Sequence, residues 1–565
     1  MYKIYKPHIK IYILSAMKKI FFCLSSAILL LYSCTSKIDA DTIYTNAVIW
    51  TGDEANTHAS CIAIKDNKIV YVGSNADTVH AASVIDLHGQ MLVPGFIDNH
   101  THFLSGGYNL ASINLRNAKT KQEFINIIKE YCAKYNDDRW ILGGDWDHEA
   151  WGGEMPSKDW IDSVTGRHPV FISRYDGHQS LANSIAMKLG NVTSQTYIPG
   201  GEVVKDKNGE PTGALKDEAQ NPVFKVIPAP PAKELNECLM RAQQHAFENG
   251  VTQICDMNSY GGWTDMDTYS AAHKNNQLQL RVYLYVPLAT WHRLDSFVKA
   301  NGKGDDVFHW GGVKGFADGS LGSTTAWMYK PYSDAPGKTG LNVTDTNDLK
   351  KWIHSADSCG LQVAIHAIGD RANDFVLQTF MNTEMNDGSI NQRFRIEHAQ
   401  HLSKWAIPMF AKLHVIACMQ PYHVIDDGKW AYKRLDSDRL SRSYSYKKLL
   451  QDDALITFGS DWTVAPLDPI QGIYAAVTRR TLDDKNPNGW FPDEKISVET
   501  ALRLYTFNNA YANFMETKTG MLKAGMYADF AVIDQNLLTM QPDDLRNAKV
   551  MMTVLNGKVV YKRQE

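Results

Sequence analysis

The sequence predicts an α/β chain: a (β/α)8 barrel of the TIM type, a subdomain inserted after its first strand, and a small β-sandwich-like domain made from both termini. Three observations lead there. Eight apolar, strand-like runs recur through the middle of the chain with amphipathic stretches among them. β-like runs broken by turn residues occupy both ends. The first two middle runs are separated by residues 103–250, too long for a structureless loop, so that stretch must carry structure of its own.

The eight runs are Val93–Asp98, Thr252–Met257, Leu280–Val286, Gly312–Ala317, Gln362–Ala367, Phe394–His398, Val415–Met419 and Ala454–Gly459. Lys233–Glu248, Asp348–Ser358, Arg371–Phe380 and Val498–Phe514 have helical patterning around them. Repeated βα units argue for a parallel sheet, and eight of them for a closed barrel. At the N-terminal end Ile43–Trp50, Cys61–Ile64 and Lys68–Val72 are divided by Gly52-Asp53 and Asp66-Asn67. At the other end Val550–Leu555 and Lys558–Tyr561 flank Asn556-Gly557, a strong hairpin signal. The expected divisions are 42–93 and 516–565 for the terminal β-domain and 94–515 for the barrel, with the insertion at about 105–250.

Residues 17–34, MKKIFFCLSSAILLLYSC, have a basic start and an apolar stretch too short to span a bilayer comfortably, which is a signal-peptide layout. Leu31-Tyr32-Ser33-Cys34 resembles a bacterial lipobox, which implies cleavage before Cys34, lipidation of its thiol, and Met17 as the start. Residues 35–41 then form a polar tether, and the expected product is an exported, membrane-anchored lipoprotein on the periplasmic or cell-surface side. A net charge of −4 and the lack of a Lys/Arg run argue against a nucleic-acid partner. The eight cysteines include no CxxC pair, which argues against a zinc finger or a thioredoxin-like site. The oligomeric state is left open, a homodimer included.

Polar residues that could bind a metal stand at the ends of the apolar runs, and in a barrel those ends form the active face. His100 and His102, at i and i+2 on an extended segment, point to one side and can chelate one divalent ion. Lys314 lies inside an apolar run, where burial lowers its pKa and frees the amine. His366 and His398 end two successive runs, and Asp461 ends the last. A carboxylate there could ligate a metal and take a proton from an attacking water, or simply cap a helix.

The order HxH, Lys, His, His, Asp on strands one, four, five, six and eight resembles the binuclear amidohydrolase superfamily. The details are similar to its amidohydrolase-3 branch, which includes N-substituted formamide deformylases. Pro94–His102 matches its PGFIDxHTH, Gly143–Asp147 its GxGWD-type motif with Asp145 as a departure, Arg174–His178 its R-x-DGH, and Gly209–Gly213 resembles NGEPTG. Lys314–Thr325, Ala364–Ala372, Glu397–Gln400, Met419–His423 and Gly459–Trp462 follow as well. The resemblance implies that His100, His102 and Asp461 hold one metal, that His366 and His398 hold a second, and that carboxylated Lys314 bridges them. It also implies that Asp461 shuttles the proton in cleavage of a linear amide or N-acyl C–N bond of a small molecule. Zinc is the first choice for such His-rich ligands, with one or two ions. Trp146, Asp147, Arg174, Asp176, His178 and His423 fall in the remaining motifs and are the expected substrate contacts. A cyclic amide, an ester or a deamination substrate fits the same site, and a ligand-binding surface lipoprotein without turnover is the alternative outside enzymes.

Overall fold

The computed structural model describes residues 37–564 apart from 175–178, 199–200, 258–261, 323 and 388–392. The signal segment with Cys34, and the site candidates Asp176 and His178, lie outside the described residues. Eight parallel strands form the central sheet: β1 (Phe96–Thr101), β2 (Val251–Asp256), β3 (Arg281–Pro287), β4 (Phe308–Phe316), β5 (Gln362–Ala367), β6 (Arg395–His398), β7 (Ile416–Met419) and β8 (Ile456–Phe458). Each pairs in parallel with the next, as in the register Lys314 to Ala364 and His366 to Glu397. Their outward Val, Ile and Leu side chains pack under the surrounding helices in one large core.

The expected first run, Val93–Asp98, is two strands in the structure. Met91–Pro94 pairs with Phe530–Ile533 in the terminal domain, and β1 begins at Phe96. Gly95 makes the passage between them, because a Cβ there would lie 2.2 Å from the Thr252 hydroxyl. The terminal domain has a four-stranded sheet from residues 38–86 and a six-stranded sheet that mixes both ends of the chain. Tyr44, Ile62, Leu92, Phe530 and Val554 share the core between them.

The insertion is shorter than the expected 105–250. Its six-stranded sheet runs from Ile113–Asn114 to Pro211–Asp217. The flanking helices Phe103–Ala111 and Ala232–Glu248 belong to the barrel layer instead. The second buries Cys238, Leu239, Ala242, Ala246 and Phe247 in the barrel core, which explains its amphipathic pattern.

The strands meet without a regular ladder between β1 and β8, where side chains take over. Asn509, on the buried helix Phe507–Ala512, donates from its amide to the carbonyls of Ile97 and Phe458 and accepts from Phe458 N at 3.2 Å. Gly459 lets the strands approach, since a Cβ there would lie 2.5 Å from His100 N. Replacing Asn509 by Leu strands these buried backbone groups, at about 1–3 kcal/mol for each left unsatisfied. The expected result is a lower midpoint of urea denaturation with an unchanged slope.

Candidate metal centre

The end of β1 carries His100 inside the strand and His102 just past it, so alternation turns both side chains to the barrel interior. His366 is the penultimate residue of β5 and His398 the last of β6. Asp461 follows β8. His398 and Asp461 adopt left-handed backbone angles, with φ of 75° and 58°. Such angles cost a non-glycine residue about 1–3 kcal/mol and persist only where neighbours enforce them. Here Asp461 N donates to His100 O at 2.7 Å, and His102 N donates to Trp462 O at 2.7 Å.

These placements bring the side chains together. Ligand atoms of His100, His398 and Asp461 all lie within 4.8 Å of one another. Asp461 Oδ1 is 3.3 Å from His102 Nε2 and 3.5 Å from His100 Nε2. The His366 and His398 rings are 4.4 Å apart, centre to centre. His423, on the helix after β7, stacks on His398 and puts Nε2 3.8 Å from Asp461 Oδ2. Lys314 is buried, and burial lowers its pKa from the ordinary value, against the nearby Glu397 and Asp461 charges. The close trio takes members from both ligand sets that the family resemblance keeps apart.

Burial keeps the imidazoles neutral. It pushes His100 down to about 4 and His366 to about 3, helped in both by the Lys314 charge, and it holds His398 well below the usual histidine range. Burial works against ionisation of Asp461, but the His102 hydrogen bond and the neighbouring imidazoles hold its carboxyl well below the carboxylate range.

Hydrogen-bond acceptors settle which ring nitrogens carry protons. His100 Nδ1 lies 2.6 Å from Glu397 Oε2, His398 Nδ1 lies 2.8 Å from Gln420 Oε1, and His366 Nε2 lies 3.1 Å from the Gly319 carbonyl. Each of those nitrogens is the N–H, so the other nitrogen keeps its lone pair. Acceptors of this kind orient metal-bound imidazoles and raise their basicity. Glu397 and Gln420 were not among the sequence candidates. The signal for Glu397 is a second charged residue, two positions after Arg395, in a strand buried along its whole length.

The expected substrate residues are placed unevenly. Trp146 is fully buried in the core of the insertion, where its indole N–H donates to Ile172 O at 2.9 Å, rather than lining a pocket. A large ring on a short strand is what that small core needs to fill its volume. Arg174 sits opposite Trp146 on the neighbouring strand, and its Nη2 is 3.2 Å from Asp147 Oδ1.

Residues 83–561 match the family described as Amidohydrolase family. The chain belongs to the amidohydrolase family. It is 39% identical over 541 residues to Protein LONG AFTER FAR-RED 3 of Arabidopsis thaliana, covering 93% of this chain and 92% of that protein. It is 24% identical over 548 residues to the N-substituted formamide deformylase of Arthrobacter pascens, covering 93% and 98%. The crystal structure of an uncharacterized metal-dependent hydrolase from Pyrococcus horikoshii superposes with a TM-score of 0.75 at 28% identity, over 89% of this chain and 99% of that one.

A metal-dependent amidohydrolase needs a divalent cation, and the donor set suits one. His100 Nε2 is buried with no hydrogen-bond partner, and its neighbours are neutral imidazoles and a carboxylate. A divalent cation satisfies such a cluster. Metal analysis of the purified amidohydrolase should therefore find at least about one divalent ion per chain. Stripping it with a chelator should lower the melting temperature, and zinc returned at about 100 times its Kd should restore about 2.7 kcal/mol of stability.

Proposed function

We propose that this amidohydrolase cleaves a linear amide or N-acyl C–N bond of a small molecule, with Asp461 as the proton carrier. The observation that carries the reading is how the two oxygens of Asp461 are divided. Oδ1 faces the imidazoles of His100 and His102, while Oδ2 faces His423. A carboxylate so placed can take a proton on the ligand side and deliver it on the other. His100, His102, His366, His398 and Asp461 would hold the metal, with zinc the first choice and one or two ions. Lys314, in its amine or carboxylated form, would stand beside them. A bound cation supplies Lewis acidity and a water acidic enough to ionise near neutral pH.

The protein's own groups do the rest. His423 Nε2 is buried without a hydrogen-bond partner, so it is available to the substrate oxygen or the leaving nitrogen. Arg174 and Asp147 lie on the insertion, which leaves the barrel at the same end as the ligands, and in this reading they would orient a polar substituent. The likeness to a formamide deformylase makes formamides and N-acyl amines the first compounds to screen for amine release.

Asp461→Asn should reduce kcat by about 10²–10⁴-fold with the fold intact. His423→Asn should cost about 10²-fold, chiefly in kcat. Turnover that survives Asp461→Asn would remove it as the proton carrier. The chain also reads as an exported lipoprotein tethered through Cys34. Cys34→Ser should move it from the membrane fraction to the soluble fraction, and an unchanged distribution would refute the tether.

A further inference from the structure

One charged residue in the barrel has no place in the chemistry so far. Arg395 and Glu397 alternate on β6, both point inward, and both are fully buried. The guanidinium donates through Nε to Glu397 Oε1 at 2.8 Å and through Nη2 to Oε2 at 3.2 Å. It also donates to the Tyr285 hydroxyl at 2.9 Å, the Asn99 carbonyl at 2.7 Å, Asn99 Oδ1 at 3.4 Å, Cys418 Sγ at 3.2 Å and Cys255 Sγ at 3.7 Å. A guanidinium has only donors, and its planar fork fits the two oxygens of a carboxylate. Both Glu397 oxygens are therefore engaged as acceptors on the arginine side. Oε2 is also the atom 2.6 Å from His100 Nδ1, which leaves that nitrogen to donate. The His100 lone pair then lies on Nε2, the buried atom 3.5 Å from Asp461.

We propose that Arg395 is a positioning residue for the metal centre: by engaging both oxygens of Glu397 it sets the His100 tautomer, with the proton on Nδ1 and Nε2 open toward the metal. The inference rests on the metal reading above and extends it to a residue that touches neither metal nor substrate.

The relay makes an unusual demand on Glu397→Gln. The glutamine has one acceptor oxygen, and Arg395, with donors only, claims it. The amide NH2 is then turned to His100 Nδ1, which must accept, and the imidazole proton moves to Nε2, where it blocks a ligand. In the double variant Arg395→Met/Glu397→Gln no fork claims the oxygen, so it can turn to His100 and restore the tautomer. Removing a buried pair whole is also tolerated better than removing one partner.

The test is zinc affinity of the metal-stripped full-length protein, by competition with a chromophoric chelator, with circular dichroism and melting temperature as folding controls. Glu397→Gln should bind zinc about 10–100-fold more weakly than the unaltered protein, and the double variant should regain about tenfold. A residue that only supports the fold would make the double variant bind no better than the single one, and that result overturns the proposal, as does an unchanged affinity in Glu397→Gln. Should Glu397→Gln fail to fold, Arg395→Met/Glu397→Gln is compared with Arg395→Met/Glu397→Met. Both lack the buried charges and differ in the acceptor offered to His100, so equal zinc affinities overturn the relay. If the unaltered protein takes up no zinc, the metal reading itself falls and the relay with it.

Discussion

One carboxylate oxygen holds the two strands that carry the metal-site residues. Asp98 Oδ1 accepts from Ser460 N at 2.9 Å and from His100 N at 3.2 Å, and so ties the end of β8 to the end of β1. Burial raises the Asp98 pKa to about 7, and these amides pull against it. Asn509 makes the same connection from below through backbone groups of both strands. The spacing of His100, His102 and Asp461 is thus set where the barrel closes, at a seam that lacks ordinary strand pairing. Gly459 follows from the same constraint, since no side chain fits between these strands.

Given that spacing, desolvation becomes the main influence on the chemistry. The imidazoles are buried and lose their affinity for protons, while each keeps one N–H committed to an acceptor. A neutral ring with a fixed tautomer is a ligand that needs no reorganisation before it binds a cation. The left-handed backbones at His398 and Asp461 belong to the same arrangement. At Asp461 the strain is offset by the hydrogen bonds between β1 and the β8 end, which over-determine the backbone there.

The rest of the molecule buttresses this end of the barrel and the opposite one. The terminal domain is joined to the barrel by a buried pair in which Arg281 Nε donates to Asp529 Oδ2 at 2.6 Å. Asp529 O in turn accepts from Gly95 N at 3.0 Å, at the point where the chain passes into β1. The insertion grows from the other end of β1, and its own core of Trp146, Ile172 and Leu181 backs the strand that ends at Arg174 and the one that Asp147 follows.

Much of this was legible in the chain itself. Apolar runs of strand length with helices between them specify a parallel barrel, because burial on both faces demands such runs. The HxH spacing places two imidazoles on one side by strand alternation alone. The helices beside the insertion were harder to assign, because an amphipathic stretch does not say which core it covers. Trp146 looked like a pocket residue because motif position carries no burial. The roles of Glu397, Gln420 and Arg395 are hidden in the sequence for the same reason. Their roles depend on partners that folding brings together, as with His100 and Glu397, 297 residues apart. The barrel, the ligand types and the strand ends that bear them follow from the order of residues along the chain. The tautomers, the close grouping of His100, His398 and Asp461, and the buried arginine come from packing, because hydrogen-bond direction and desolvation exist only between elements already packed together.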